Sequence, residues 1–297
     1  MCARFSAFCT LIAAIAVSAG SAVDAGGLSG RISGSVTTYT VQPGDTLTLL
    51  AARFGVYPAT IAYENGLETS GRIEVGRALR IDNRHLIPPA AVDGEIVVNV
   101  PQGMLFFLTT EEDAIAYPIA VGRSTWQTPI GRFTVIRKEA NPAWHPPESI
   151  RAESARAGHR LPRVVPPGPS NPLGRFWIGL SLESIGIHGT LVQSSIYQSA
   201  THGCVRLQTD PIADLYTRVS VGTRGQIIYE PILLAVVGEQ VFIEVHPDLY
   251  RKLPRTARDE ARHLAARAGV DQVVDWVLAD QEIGRHAGIA RLVSSVR

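Results

Sequence analysis

The sequence predicts an α+β protein: a small βααβ unit, then a β-rich domain of sandwich or barrel type, then a helical tail. Three observations carry this. Between Tyr39 and Ile81 a strand-like segment, two helical periodicities and a second strand-like segment follow one another across tight turns. From Gly94 onward, short apolar segments recur at regular spacing with turn residues between them. From Pro254 to Arg297 the apolar positions fall at helical intervals. A chain of 297 residues can bury one large and one small core, and 45% hydrophobic against 19% charged residues is a globular balance. A formal net charge of +1 gives no long-range field for nucleic acid or an anionic membrane surface.

The start of the chain has the layout of a secretory signal. Arg4 precedes an uncharged apolar run from Phe5 to Val17, and the small residues Ser18 to Ala22 follow. The run is too short for a comfortable membrane span. Residues 1–25 are therefore expected to be a signal peptide and the protein to be exported. Cys2 and Cys9 would leave with the signal, so the mature chain keeps one cysteine, Cys204. A single thiol forms no internal disulfide, and in an oxidising compartment it is a liability unless buried or at work.

Residues 26–38, rich in Gly, Ser and Thr, read as a flexible lead-in. The βααβ unit, residues 38–83, opens on the strand-like Tyr39-Thr40-Val41. Pro43-Gly44-Asp45 makes a turn, with Asp45 or Thr46 as helix cap. Leu47, Leu50, Ala51 and Phe54 share a helical face that Gly55 ends. Pro58 to Tyr63 form a second helix closed by Asn65-Gly66, and Ile73 to Ile81 return as a strand. This unit resembles a LysM domain in Tyr39, Val41, Gly44-Asp45-Thr46-Leu47, Ala51, Phe54, Asn65, Gly76, Leu79 and Ile81. The resemblance implies binding of peptidoglycan N-acetylglucosamine in a groove between the Gly44, Asp45, Thr46 loop and the loop near Asn65.

A proline-containing linker, Leu86 to Ala91, leads into the β-rich domain, residues 94–231. Strands are expected at Ile96–Val100, Met104–Thr109, Ala114–Val121, Arg132–Arg137, Arg175–Leu180, Ile185–His188 and Gly225–Tyr229. A helix should run from Asp210 as cap to about Val219. The proline-rich stretch from Ala140 to Pro172 breaks the rhythm; a long ordered loop of this kind is often functional, for instance as a lid, the alternative being a solvated excursion. Residues 232–297 form a hairpin around Gly238-Glu239 and the helical tail, in which no chemistry is legible.

The chemistry is concentrated in Ile187-His188-Gly189-Thr190 and Thr201-His202-Gly203-Cys204-Val205-Arg206. A cysteine attacks as thiolate, yet a free thiol has a pKa of ~8.5. A nearby imidazole remedies this by taking the proton or by pairing with the thiolate. Backbone N–H groups beside the nucleophile can hold an oxyanion. Gly203 allows close backbone approach, and Arg206, two residues from Cys204, offers a cation for a carboxylate. A metal site from His188, His202 and Cys204 is the rival, but the His-x-Cys spacing is poor for structural zinc and no fourth ligand is evident.

These segments resemble the L,D-transpeptidase catalytic domain, the YkuD family, in its His-Gly followed by Thr-His-Gly-Cys-apolar-Arg. Thr128-Pro129-Ile130-Gly131-Arg132-Phe133, Asn141-Pro142 with Trp144, and Gly168-Pro169 with Asn171-Pro172-Leu173-Gly174 extend the resemblance to the periplasmic Gram-negative branch. It implies Cys204 as nucleophile, His188 as base, and the Gly189 carbonyl as orienter of the ring. It also implies Gly203 and Cys204 N–H groups as oxyanion donors, His202 and Thr201 shaping the site, and Arg206 meeting a substrate carboxylate. No metal or other cofactor is called for. The implied partners are tetrapeptide stems of peptidoglycan and an amine acceptor, either a second stem, giving a 3-3 cross-link, or a lysine of an envelope lipoprotein. Water as acceptor would make an L,D-carboxypeptidase, and a chain without catalysis would be a peptidoglycan-binding protein.

Overall fold

The computed structural model describes residues 28–109 and 114–294; the expected signal peptide lies outside them. The chain is α+β. Strands Val36–Thr40 and Ala78–Asp82 pair antiparallel around helices Leu47–Phe54 and Pro58–Glu64. Of the two candidate caps it is Thr46 that serves, its hydroxyl accepting the Leu49 N–H at 3.2 Å. Gly55 ends the helix in the left-handed conformation, φ 69°. The returning strand is shorter than its apolar pattern suggests, because residues before Ala78 form turns. Leu50, Ile61, Leu79 and Ile81 fill the small core, and Ala287 and Ile289 from the far end of the chain join it.

The β-rich domain is one eight-stranded mixed sheet. Its order is Val205–Arg206, Gly186–His188, Phe176–Leu180, Gly131–Ala140, Arg224–Ile228, Ile96–Asn99, Met104–Phe107 and Ile115–Pro118. The sheet curls until its ends meet. Just beyond the last strand, Ala120 forms an antiparallel bridge with Arg206, each N–H reaching the other's carbonyl at 2.9–3.0 Å. Closure removes the free edges that an open sheet would expose. Inside lie Ile96, Val98, Leu105, Phe133, Val135, Ile178, Ile187 and Ile227. Fully burying each such side chain is worth about 1.5–3 kcal/mol. Ile212 and Leu215 of the helix Thr209–Arg218 complete this core. That helix is capped by Gln208 with no side-chain bond; Asp210, expected as the cap, sits inside the first turn.

Three expectations are corrected outside this sheet. The lead-in is pinned rather than free: Ser29 bridges to Ala235, and Ile32–Ser33 pairs with His85–Leu86. The linker is buried at Leu86 and Ile87, both at most 1% exposed. The tail is two helices, Ala257–Arg267 and Trp276–Arg285, after which Arg291–Leu292 returns as a third strand beside the hairpin Ile232–Val237 and Gln240–Val245. Tertiary pairing prevails over local composition in each case. Among the described residues no helix is long and apolar enough to cross a membrane.

One buried carboxylate joins these units. Glu244, in the hairpin, accepts the Leu86 N–H at 2.5 Å and a Gln102 side-chain N–H at 3.0 Å. His85 Nδ1 lies 2.7 Å from Glu244 and its Nε2 lies 2.9 Å from the Gly55 carbonyl. Both ring nitrogens of His85 thus face acceptors, so both carry protons and the pair is ionic. His246 Nε2, 2.8 Å away, donates to the same carboxylate, while its Nδ1 accepts from Tyr57 at 3.1 Å. Burial opposes the charge on Glu244, but the two histidines outweigh it and bring its pKa down to about 2.

Glu244→Gln is expected to cost about 3–5 kcal/mol, since it leaves a buried imidazolium without its counter-charge. Because the folded-state pKa is depressed, the carboxylate's stabilisation is fully present above the unfolded pKa of ~4.3. It is lost as the pH falls through the folded value of about 2. Urea unfolding of both proteins between pH 7 and pH 3 should show that acid slope in the native chain and a weaker one in the variant.

Candidate active site

The closed end of the sheet assembles the site. The strand Gly186–His188 pairs in parallel with Val205–Arg206, matching Ile187 to Val205 and His188 to Arg206. Cys204 immediately precedes this pairing, so it lies alongside the strand that ends in His188. The thiol points to the Ser184 carbonyl at 3.7 Å, and Ser184 occupies a tight turn at φ 59°. Burial pushes the Cys204 pKa up, against the smaller opposing pulls of a Gly186 backbone hydrogen bond and the Arg206 charge.

His188 is 3% exposed. Its Nδ1 lies 2.7 Å from the Gly189 carbonyl, an oxygen that only accepts, so Nδ1 carries the proton and Nε2 keeps the lone pair. Burial, reinforced by Arg206, lowers its pKa to about 3. The ring is therefore neutral at pH 7 and can take a proton. The Trp177 indole stacks on it with centroids 5.6 Å apart. That indole also lies over Gly186, where any Cβ would come within 2.4 Å of it.

The Cys204 loop is held by a short chain of hydroxyl contacts. Thr201 Oγ1 donates to the Cys204 carbonyl at 2.6 Å and accepts the Gly203 N–H at 3.1 Å. The Gly203 N–H, expected to face an oxyanion, is thus already used. The Cys204 N–H has no partner among the described residues. Gly203 has φ 107°, a conformation that disfavours side chains. Its carbonyl accepts from Thr128 Oγ1 at 2.9 Å, and that oxygen accepts the Gly122 N–H at 2.8 Å. Arg206 makes no ion pair among the described residues, and its buried Nε has no hydrogen-bond partner. His202 is engaged by Glu153 of the proline-rich excursion at 2.7 Å. In the βααβ unit Asp45 accepts from Tyr39 and Gln42, and Asn65 is spent on Ile61 and Arg80. With Thr46 capping a helix, the expected groove presents these side chains already engaged; Gly44, φ 90°, is open.

The family model described as the L,D-transpeptidase catalytic domain matches residues 93–229, and the LysM domain model matches residues 39–82. The chain is 31% identical over 280 residues to "Probable L,D-transpeptidase ErfK/SrfK" of Escherichia coli K12, covering 89% of this chain and 88% of that protein. It belongs to the L,D-transpeptidase family. Two further relatives are "Probable L,D-transpeptidase YbiS" of the same organism, 29% identical with 87% of each chain covered, and "Probable L,D-transpeptidase ErfK/SrfK" of Salmonella typhimurium, 33% identical with 74% and 72% covered. The enzyme thus carries a LysM domain ahead of its catalytic domain.

The sequence reading missed Trp177, Glu153, Arg123 and Tyr250, which reach the site from other elements. Tyr250 comes from the C-terminal extension, where no chemistry was legible. Its hydroxyl donates to the Gly122 carbonyl at 2.7 Å and accepts the Thr128 N–H at 3.1 Å. It therefore braces the transpeptidase's Thr128, which holds Gly203. Tyr250→Phe should leave the fold intact and cost about 1–3 kcal/mol, the penalty of stranding buried backbone groups. Thermal unfolding and steady-state rates of the two proteins would check this, with a rate loss of about tenfold expected from a loosened loop.

Proposed function

We propose that this enzyme acts on peptidoglycan tetrapeptide stems through a thioester on Cys204 and passes the acyl group to an amine. The observation that carries the reading is a neutral, oriented His188 on the strand beside the only described cysteine. The Cys204 sulfur attacks the carbonyl carbon at the L-centre of the third stem residue. Its proton passes to His188 Nε2, and the developing oxyanion is met by the Cys204 N–H. As the C–N bond breaks, His188 returns the proton to the departing D-alanine. An amine then attacks the thioester, His188 takes its proton, and the thiol is restored. With an imidazole pKa lowered to about 3 and a thiol pKa raised, the resting pair is uncharged. His188 then acts as a general base rather than as half of a preformed ion pair.

The unpaired Arg206 guanidinium suits a substrate carboxylate, and His202 and Thr201 shape the loop rather than react. A second stem as acceptor gives a 3-3 cross-link; a lipoprotein lysine gives protein attachment. The LysM domain brings the glycan to the enzyme at its Gly44–Thr46 loop, where Gly44 faces open space. A leader at residues 1–25 would deliver the chain to the periplasm, where this substrate lies.

Incubation of the mature protein with a disaccharide tetrapeptide should yield cross-linked dimers and free D-alanine. Mass spectrometry should find the thioester on Cys204, and Cys204→Ala should abolish both. Tripeptide alone would instead make water the acceptor, and unchanged products from Cys204→Ala would remove the thiol from the mechanism.

A further inference from the structure

The excursion between strands Gly131–Ala140 and Phe176–Leu180 is tied to the site at both ends of its path. At its root, the Gly189 N–H donates to the Leu173 carbonyl at 3.0 Å, and the Asn141 N–H to the Arg175 carbonyl at 2.7 Å. Asn171, fully buried, donates to the Pro142 carbonyl at 2.8 Å and accepts the Leu173 N–H at 2.9 Å. Trp144 and Val165 pair across it through two bonds of 2.8 Å. The excursion therefore leaves the sheet beside Gly189, the residue that orients His188.

Its outer part is the helix Glu148–Arg156, which buries no residue. No fully buried apolar residue anchors this helix. A carboxylate does: Glu153 Oε2 lies 2.7 Å from His202 Nε2, and Glu153 Oε1 lies 2.8 Å from the Arg123 guanidinium. His202 belongs to the Cys204 loop, and Arg123 to the neighbouring segment after Gly122. The Arg123 main-chain N–H donates to the Thr201 carbonyl at 3.0 Å, and the Trp126 ring packs edge-on to His202 at 5.2 Å. Arg123 also approaches His202 Nε2 to 2.7 Å. Two nitrogen donors converge on one spot, and the carboxylate's charge is what keeps them together. The hydrogen bonds from Arg123 and then His202 in turn hold Glu153 below the usual carboxylate range, so it stays ionised at neutral pH.

We propose that Glu153 is a positioning residue of the transfer reaction: its carboxylate latches the 141–174 excursion, as a lid, beside the Cys204 loop. The inference rests on the reading of Cys204 and His188 as the reacting pair. A stem peptide lying between them would be enclosed by the latched lid, so the latch acts on substrate binding more than on bond making.

The test compares the full mature chain with Glu153→Gln, which removes the charge, and Glu153→Asp, which keeps it on a shorter arm. Glu153 lies at the surface, so neither change threatens the core. In Glu153→Gln, amide hydrogen exchange of residues 148–156 should speed by about fivefold while the sheet strands keep their rates, and KM for a tetrapeptide donor should rise about fivefold with kcat changed less than about twofold. Glu153→Asp should recover part of both effects. An unchanged exchange rate, an unchanged KM, or a loss confined to kcat would overturn the proposal. If the native chain turns over no tetrapeptide, the functional reading falls, and the exchange comparison alone decides the latch.

Discussion

The backbone of Arg206 is shared between the His188 strand and the segment at Ala120, and the candidate site depends on that sharing. On one side it lies in register with His188 in a parallel ladder; on the other it bonds Ala120 and closes the curled sheet. The closure forces the residue two positions upstream, Cys204, to lie along the strand that ends in His188. It also presses Gly203 into a conformation at φ 107° that Thr201 and Thr128 then hold. An open sheet would leave the same residues at a frayed edge, where neither burial nor orientation of the imidazole could be maintained.

Burial at this closed end sets the chemistry. It lowers the His188 pKa and raises that of Cys204, so both are neutral when substrate arrives. In the proposed mechanism a neutral pair has no charge to desolvate before reaction, and the proton moves only as the sulfur attacks. Farther away, Glu244 with His85 and His246 binds the LysM domain, the linker and the C-terminal hairpin into one body. Through Tyr250 the same extension reaches the loop that carries Gly203. The C-terminal residues thus belong to the catalytic scaffold as well as to the LysM core, which Ala287 and Ile289 complete.

Much of this was legible in local pattern. Period-two alternation located the strands, and Leu47, Leu50 and Ala51 located a helix face, because burial imposes those periods directly. Cys204 and His188 stood out because a thiol and an imidazole in adjacent motifs have few purely structural uses. What stayed hidden acts across distance in sequence. Glu153 looks like one charge on a solvated helix until the fold brings His202, 49 residues on, to its side. Trp177 reads as a core aromatic, and nothing local says that Gly186 lacks a side chain to make room for it. The Gly- and Ser-rich lead-in looks mobile by composition, yet its backbone groups find partners on the C-terminal sheet. The oxyanion role expected of Gly203 failed to foresee that Thr201 would claim its N–H.

The central claim is that a buried, neutral His188 takes the Cys204 proton. The pH dependence of Cys204 acylation by a carbapenem, followed by intact-protein mass between pH 5 and pH 8, tests it most directly. With the imidazole pKa lowered to about 3 and the thiol pKa raised, the rate constant should run level across this range. A step centred near pH 6.5 would show His188 titrating as an ordinary exposed histidine, and would contradict the account.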